Sequence, residues 1–187
     1  KASYLDKPLT MDDLDSLRRE LDIEQDNMEG WFMPETYSYT VGSTSRDILR
    51  RAHNEMKSYL DKNWKSRDPS LPYNSPYQAL IMASIIEKET AKVDERPRIA
   101  SVFVNRLQKK MKLQTDPTVI YGVKDRYDSN IRRRDLDDEN PYNTYVIEGL
   151  PPTPIAMPGK GAVKAALHPD KTNFLYFVAK GGGAHQF

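Results

Sequence analysis

Tyr77-Gln-Ala-Leu-Ile-Met-Ala-Ser-Ile-Ile-Glu-Lys-Glu-Thr90 decides how the rest of the chain is read. From Ala79 to Ile86 every residue but Ser84 is apolar, and at the helical period these residues cover all sides of the cylinder. A helix apolar all round is a buried helix. Pro76 suits a first helical turn and Ser75 an N-cap before it. The run ends in two carboxylates, Glu87 and Glu89. Glu87 shares a face with Leu80, Ala83 and Ser84, so its side chain is expected against apolar surface. Desolvation and the helix C-terminus both push a carboxylate there toward its neutral form. A neutral acid in a cleft can protonate a leaving-group oxygen. The ordinary alternative is a solvated helix end.

Outward from this helix, Ser43-Thr-Ser-Arg-Asp47 opens another, with Ile48, Leu49, Ala52, Met56, Tyr59 and Leu60 at helical spacing to about Lys65. Val93-Asp-Glu-Arg-Pro97 starts a third, carrying Ile99, Val102, Phe103, Val104 and Leu107. Aromatic and β-branched residues between Glu29 and Thr40, broken by Pro34, suggest two short extended segments. Asn173 to Ala179 reads as a strand, Lys180 to Gly183 as a turn, and Ala184 to Phe187 as the start of a return strand. The segment Gly149 to Gly159 is too proline-rich for helix or central strand and reads as a rigid loop wall. The expected fold is α+β. Helices near 44–65, 76–89 and 94–110 form the core, and short strands near 30–39 and 173–187 build one side of a cleft that Glu87 lines.

Composition narrows the function. The chain has 187 residues, 28 basic against 27 acidic, for a net charge of +1. That balance argues against a nucleic-acid binder. The sequence has no cysteine, so disulfides and cysteine metal sites are excluded. His53, His168 and His185 show no metal-ligand spacing. No glycine-rich loop precedes a helix in the pattern of phosphate chemistry. Neither metal nor other cofactor is expected. No apolar run approaches the roughly 18 residues of a transmembrane helix.

Two further groups stand out as candidate binding residues. Gln114, Thr115, Asp116 and Thr118 form a dense set of hydrogen-bonding groups, of which a capping turn explains one or two. Trp31, Phe32, Tyr37 and Tyr39 are either hydrophobic filler or a stacking wall for sugar rings.

Several motifs in order resemble the YceG/MltG-like family of bacterial endolytic murein transglycosylases. They are Glu29-Gly-Trp-Phe-Met-Pro-Glu-Thr-Tyr37, Ala83-Ser-Ile-Ile-Glu-Lys-Glu-Thr90, Ala100-Ser-Val-Phe-Val-Asn-Arg-Leu107, Leu113-Gln-Thr-Asp-Pro-Thr-Val-Ile-Tyr-Gly122, Tyr142-Asn-Thr-Tyr145, Gly149-Leu-Pro-Pro152, Pro154-Ile-Ala156, His168-Pro169, Leu175-Tyr-Phe-Val178, and the glycine turn with His185 and Phe187. The resemblance runs from about residue 29 to the end. It implies an enzyme that cuts peptidoglycan glycan strands internally, without water, leaving 1,6-anhydro ends. The family's catalytic glutamate then falls on Glu87, with Glu89 as second choice. The two point about 200° apart on a helix, which rules out a close dyad.

Gln114, Thr115, Asp116, Thr118, Tyr142 and Asn143 are expected to orient the sugars, and Tyr37 and Trp31 to stack on them. Asp116 keeps a hydrolase open, and a binding or scaffold module without turnover is a further alternative. Residues 1–28 are read as an N-terminal helical segment or the remnant of a LysM-like region, and 29–187 as a catalytic domain lacking its C-terminal end. The resemblance also implies an inner-membrane anchor in the longer protein, an extracytoplasmic location, and penicillin-binding proteins or other wall-synthesis enzymes as partners.

Overall fold

The structure is a computed structural model that describes residues 9–182 and 184–187. In chain order its helices are α1 (Met11–Glu20), α2 (Ser45–Lys65), α3 (Pro76–Glu89), α4 (Arg96–Gln108), α5 (Asp116–Gly122), α6 (Arg133–Leu136) and α7 (Lys160–Leu167). Short 3-10 turns lie at Val93–Glu95 and Lys124–Arg126. Strands β1 (Val178–Gly181) and β2 (Ala184–Gln186) pair antiparallel, Val178 opposite Gln186 and Ala179 opposite His185. The fold is α+β, helix-rich with one small sheet.

The centre is α3. Every residue from Ala79 to Ile86 is buried, none more than 4% exposed. No single stripe faces a core because the core surrounds the helix. It packs most closely on α7, and also on α4, α2 and α5. Ala162, Val163, Ala166 and Leu167 from α7 join Ile99, Ala100 and Phe103 from α4 and Met56 and Leu60 from α2 in one hydrophobic cluster. Ser75 caps the start, its hydroxyl accepting from Gln78 N at 3.3 Å, and Pro76 occupies the first turn, where no intrahelical partner is lost. Ser84, polar in an apolar run, donates to Ile81 O (2.7 Å) and accepts from Ile155 N (2.9 Å). That second bond pins the proline-rich wall to the central helix and satisfies a hydroxyl that burial would otherwise penalise.

The strand expectation near 30–39 is not met: the segment is irregular. Met33 N bonds to Ala52 O of α2 instead of to a strand, and Pro34 lacks the N–H a ladder would need. Gly30 has φ +87°, and a β-carbon there would lie 2.7 Å from Pro154. This segment therefore presses on helix and proline wall, not on a sheet. The expected strand from 173 is also shortened, beginning at Val178. Upstream, side chains replace a partner strand: Asn105 Nδ2 donates to Thr172 O and Phe174 O, and Arg106 Nε to Leu175 O. Of the expected turn at 180–183, Gly183 lies outside the described residues, as do residues 1–8 of the N-terminal segment.

Candidate active site

The last turn of α3 carries both glutamates, and their surroundings differ. Glu87 does not have the apolar setting expected for it. Arg96 Nη2 donates to Glu87 Oε1 at 2.8 Å, and Gly159 N donates to Oε2 at 2.9 Å. The Arg96 side chain is 11% exposed and that of Glu87 26%. Arg96 reaches this position over Gly161, where a β-carbon would sit 2.9 Å from the guanidinium. Both Glu87 oxygens thus accept, one from a cation and one from a backbone amide. Leu80, Ala83 and Ser84 are buried along α3 as their spacing predicts. Arg96 and the α7 start arrive from elsewhere in the chain and replace them at the carboxylate.

Glu89 points to the other side. Its Oε2 accepts from the Thr115 hydroxyl at 2.7 Å. Burial raises its carboxyl above the ordinary glutamate range; the Thr115 bond and the nearby His185 act in the opposite direction, and Asp116 adds to the rise. A desolvated acid with a hydroxyl partner is the setting in which a carboxyl keeps its proton toward neutral pH.

Thr115 is held for this contact. Its N–H donates to Thr144 Oγ1 (3.0 Å), and Thr118 Oγ1 donates to its carbonyl (2.7 Å). Gln114 adopts φ +50°, a left-handed conformation costly for a side chain other than glycine. Its N–H donates to Thr144 O, and its side-chain oxygen accepts from Arg106 Nη1 at 3.4 Å. The same Arg106 nitrogen bonds Lys112 O and Leu113 O, so one buried guanidinium braces the turn that leads into Thr115. Asp116 accepts from the Tyr145 hydroxyl at 2.6 Å. Burial, then Asp116, raises the Tyr145 hydroxyl well above its usual range.

The structure therefore brings Glu89, Gln114, Thr115 and Asp116 together. Thr118 and Asn143 are buried braces, at 0% and 1% exposure. Asn143 Nδ2 donates to the carbonyls of Asp135, Leu136 and Asp138, which leaves that amide no donor for a sugar. Tyr142 shares a hydrogen bond with Thr153 (2.9 Å) and packs on Tyr121 at 4.8 Å. Trp31 stacks on Tyr77 at 5.8 Å, near the opposite end of α3 from Glu89, about 18 Å along the axis. Tyr37 donates to Met33 O and lies under Arg51. Neither aromatic joins Glu89, because the irregular 30–39 segment follows α2 and the α3 start.

The sequence reading assigned no site role to Arg106, Tyr145, Glu95 or His185, although Arg106, Tyr145 and His185 fall within the quoted motifs. Tyr145 closes a quoted motif and was legible as polar and aromatic. Glu95 and His185 lie 90 residues apart, so no local pattern joins them. Among the described residues no helix is long and apolar enough to cross a membrane.

Comparison with known proteins adds an independent finding. The YceG-like family model matches residues 3–187. The endolytic murein transglycosylase of Bacillus subtilis (strain 168) is 44% identical over 157 residues, covering 83% of this chain and 43% of that protein. The protein of the same name from Streptococcus pneumoniae serotype 2 (strain D39 / NCTC 7466) is 33% identical over 165 residues, covering 81% of this chain and 28% of that protein. The chain thus spans less than half the length of these curated relatives. The crystal structure of a yceG-like protein from Listeria monocytogenes superposes with a TM-score of 0.76 at 33% identity, covering 93% of this chain and 60% of that one.

Proposed function

The chain belongs to the YceG-like family, and on that premise we propose that it carries the catalytic machinery of an endolytic peptidoglycan lytic transglycosylase, with Glu89 as its acid. The observation that carries the choice of Glu89 is the contrast within one helical turn: Glu87 is bound by Arg96 and Gly159, while Glu89 is desolvated and bound by one hydroxyl.

Glu89 in its neutral form gives its proton to the oxygen linking N-acetylmuramic acid to N-acetylglucosamine. The bond from the anomeric carbon to that oxygen breaks with oxocarbenium character. The muramic C6 hydroxyl closes on the anomeric carbon, and the Glu89 carboxylate takes the hydroxyl proton. Atoms balance without water: one strand ends in a 1,6-anhydro ring, the other in a free hydroxyl. The nucleophile belongs to the substrate, so no second carboxylate has to activate a water. Thr115 orients the Glu89 carboxyl, and Gln114 and Asp116 are the polar groups placed to meet the sugars.

Glu87 and Arg96 then act as a structural clamp joining α3, α4 and α7. Residues 29–187 form the catalytic domain in this reading, and 1–28 belong to what precedes it. The substrate lies outside the cytoplasm, so the active site faces the wall, held there by a membrane anchor in the longer protein. Penicillin-binding proteins that make the strands are the fitting partners.

Asp116 favours a second reading. Its charge is felt by Glu89, and a second carboxylate near an acid is what an inverting or retaining hydrolase uses. Digestion of purified peptidoglycan in heavy-oxygen water, with mass spectrometry of the products, separates the two. The transglycosylase gives anhydro ends with no label; labelled reducing ends overturn it. Glycan binding without product from the full-length protein would leave only a recruiting module.

A further inference from the structure

Trp31 belongs to a quoted motif, yet no step of the reaction as written uses it. It lines a cavity of about 430 Å³ at the start of α3. Three walls build that cavity. Residues 21–25 follow α1 and are tied to the body by Ile23, which is buried in a cluster with Phe32 and Ala52. His53, Lys57, Leu60 and Asp61 come from one face of α2. Ser75, Pro76 and Tyr77 open α3.

The indole is held in place before any ligand arrives. It stacks on Tyr77, the ring centres 5.8 Å apart and the planes 12° from parallel. Its N–H donates to Gln25 Oε1 at 3.1 Å. A carbonyl only accepts, so His53 Nδ1 donates to Trp31 O, at 3.2 Å. Burial holds the His53 ring below the ordinary imidazole range, so it brings no charge to the cavity at neutral pH.

The lining selects a class of ligand. Aromatic rings with a polar rim match a sugar, which has apolar C–H faces and a hydroxyl edge. At the rim Asp22, Glu24 and Asp61 outnumber Lys57, which disfavours an anion such as a phosphate or a peptide carboxylate. Those carboxylates accept from hydroxyls and amide N–H groups, and Lys57 donates. The volume lies within the ordinary range of ligand cavities.

We propose that this cavity is a second glycan-binding site, holding a neutral N-acetylglucosamine residue of the strand away from the bond that is cut. This rests on the reading of the chain as an enzyme that cuts glycan strands. Tyr77 and Glu89 lie at opposite ends of α3, about 18 Å apart along the axis, so the sugar held here is several units from the cut. An internal cut needs a grip on the strand beyond the reacting pair of sugars. A rigid pair of rings supplies it at little ordering cost.

The test uses the full-length protein carrying Glu89→Gln, with the N-acetylglucosamine tetramer as probe. The tetramer lacks the muramic acid at which the reaction occurs, so it reports binding alone. The Trp31 indole N–H signal, labelled with nitrogen-15 and identified by its loss in Trp31→Phe, should shift saturably as the probe is added. An unmoved signal overturns the proposal. Kinetics with Glu89 intact give a second reading. Trp31→Ala should raise KM on long uncrosslinked strands about tenfold, the scale of one aromatic stacking partner. On a tetrasaccharide of the same repeat, too short to reach both sites, KM should rise by less than about twofold. Equal changes on both substrates overturn the second site. Trp31 packs on two hydrophobic clusters. If Trp31→Ala does not fold, Gln25→Ala releases the indole N–H and decides by the same comparison. Absence of cleavage by the parent protein would defeat the enzyme reading, while the indole titration would still judge the cavity, so the two failures are separable.

Discussion

The two sides of the last turn of α3 carry the same residue type under opposite conditions. On one side Glu87 accepts from Arg96 and Gly159 and knits three helices together. On the other Glu89 loses water, gains one hydroxyl bond, and is raised toward its neutral form. The lesson is that a helix end supplies carboxylates, and the elements packed on each side decide what they are for. Burial with one hydroxyl partner favours a carboxyl that keeps its proton, whereas a cation and an amide on the two oxygens favour a tie between helices.

The largest way to break this comparison is to neutralise each glutamate in turn. Glu89→Gln should cut the release of anhydro products by about 10²–10⁴-fold, the usual contribution of a general acid. Glu87→Gln should retain most turnover per folded molecule. Rates normalised to folded protein by circular dichroism check both, and the reverse ranking returns the acid role to Glu87. On the clamp side, Arg96→Ala leaves a mostly buried carboxylate without its cation. It should cost about 2–4 kcal/mol, which for a domain of this size lowers Tm by roughly 5–15 °C, read by a thermal scan.

A third test sharpens the contrast through pH. The folded Glu89 carboxyl titrates above its unfolded value because it is buried. Its contribution to stability is therefore fully present below the unfolded glutamate range and is lost as pH rises through the raised folded value. Glu89→Gln has no proton to lose. Urea denaturation at a series of pH values should show the variant gaining on the parent across that window, so the inactive protein becomes the relatively more stable one. A constant difference would mean that Glu89 is not held raised.

The smallest effect is expected at Thr115→Val. The Thr115 hydroxyl bond favours the ionised form of Glu89, so its loss should move the alkaline limb of the rate profile upward. The expected drop in rate is about threefold to tenfold, the scale of one hydrogen bond to a charged group. An unchanged profile would show that the 2.7 Å contact has no role in tuning the acid.

How much of this was legible in the chain differs by element. The three long helices were readable to within two residues because caps and apolar spacing are local: Thr44 with Asp47, and Ser75 with Pro76, mark their starts. The sheet was less legible. Residues 30–39 have strand-like composition, yet their backbone bonds to α2. In the same way Asn105 and Arg106 take the place of a strand beside 172–175. Strand propensity records a side chain's fit to a half-buried surface, and a helix or a proline wall can supply that surface as well. In the site, Gln114, Thr115 and Asp116 were visible as a dense polar group. Trp31 and Tyr37 looked equally suited to a sugar, but the path of the irregular segment carries them to the far end of α3 and to α2.

By itself the sequence determined that a helix apolar on every side lies at the centre and that its last turn sends two carboxylates in opposite directions. Both follow from the 3.6-residue period, which needs nothing beyond the neighbouring residues. Only the tertiary structure decided which carboxylate meets Arg96 and Gly159 and which meets Thr115, partners 9, 72 and 26 residues away along the chain. The reason is that water exclusion and ion pairing belong to the surfaces that close over a side chain, and those surfaces come from other parts of the fold.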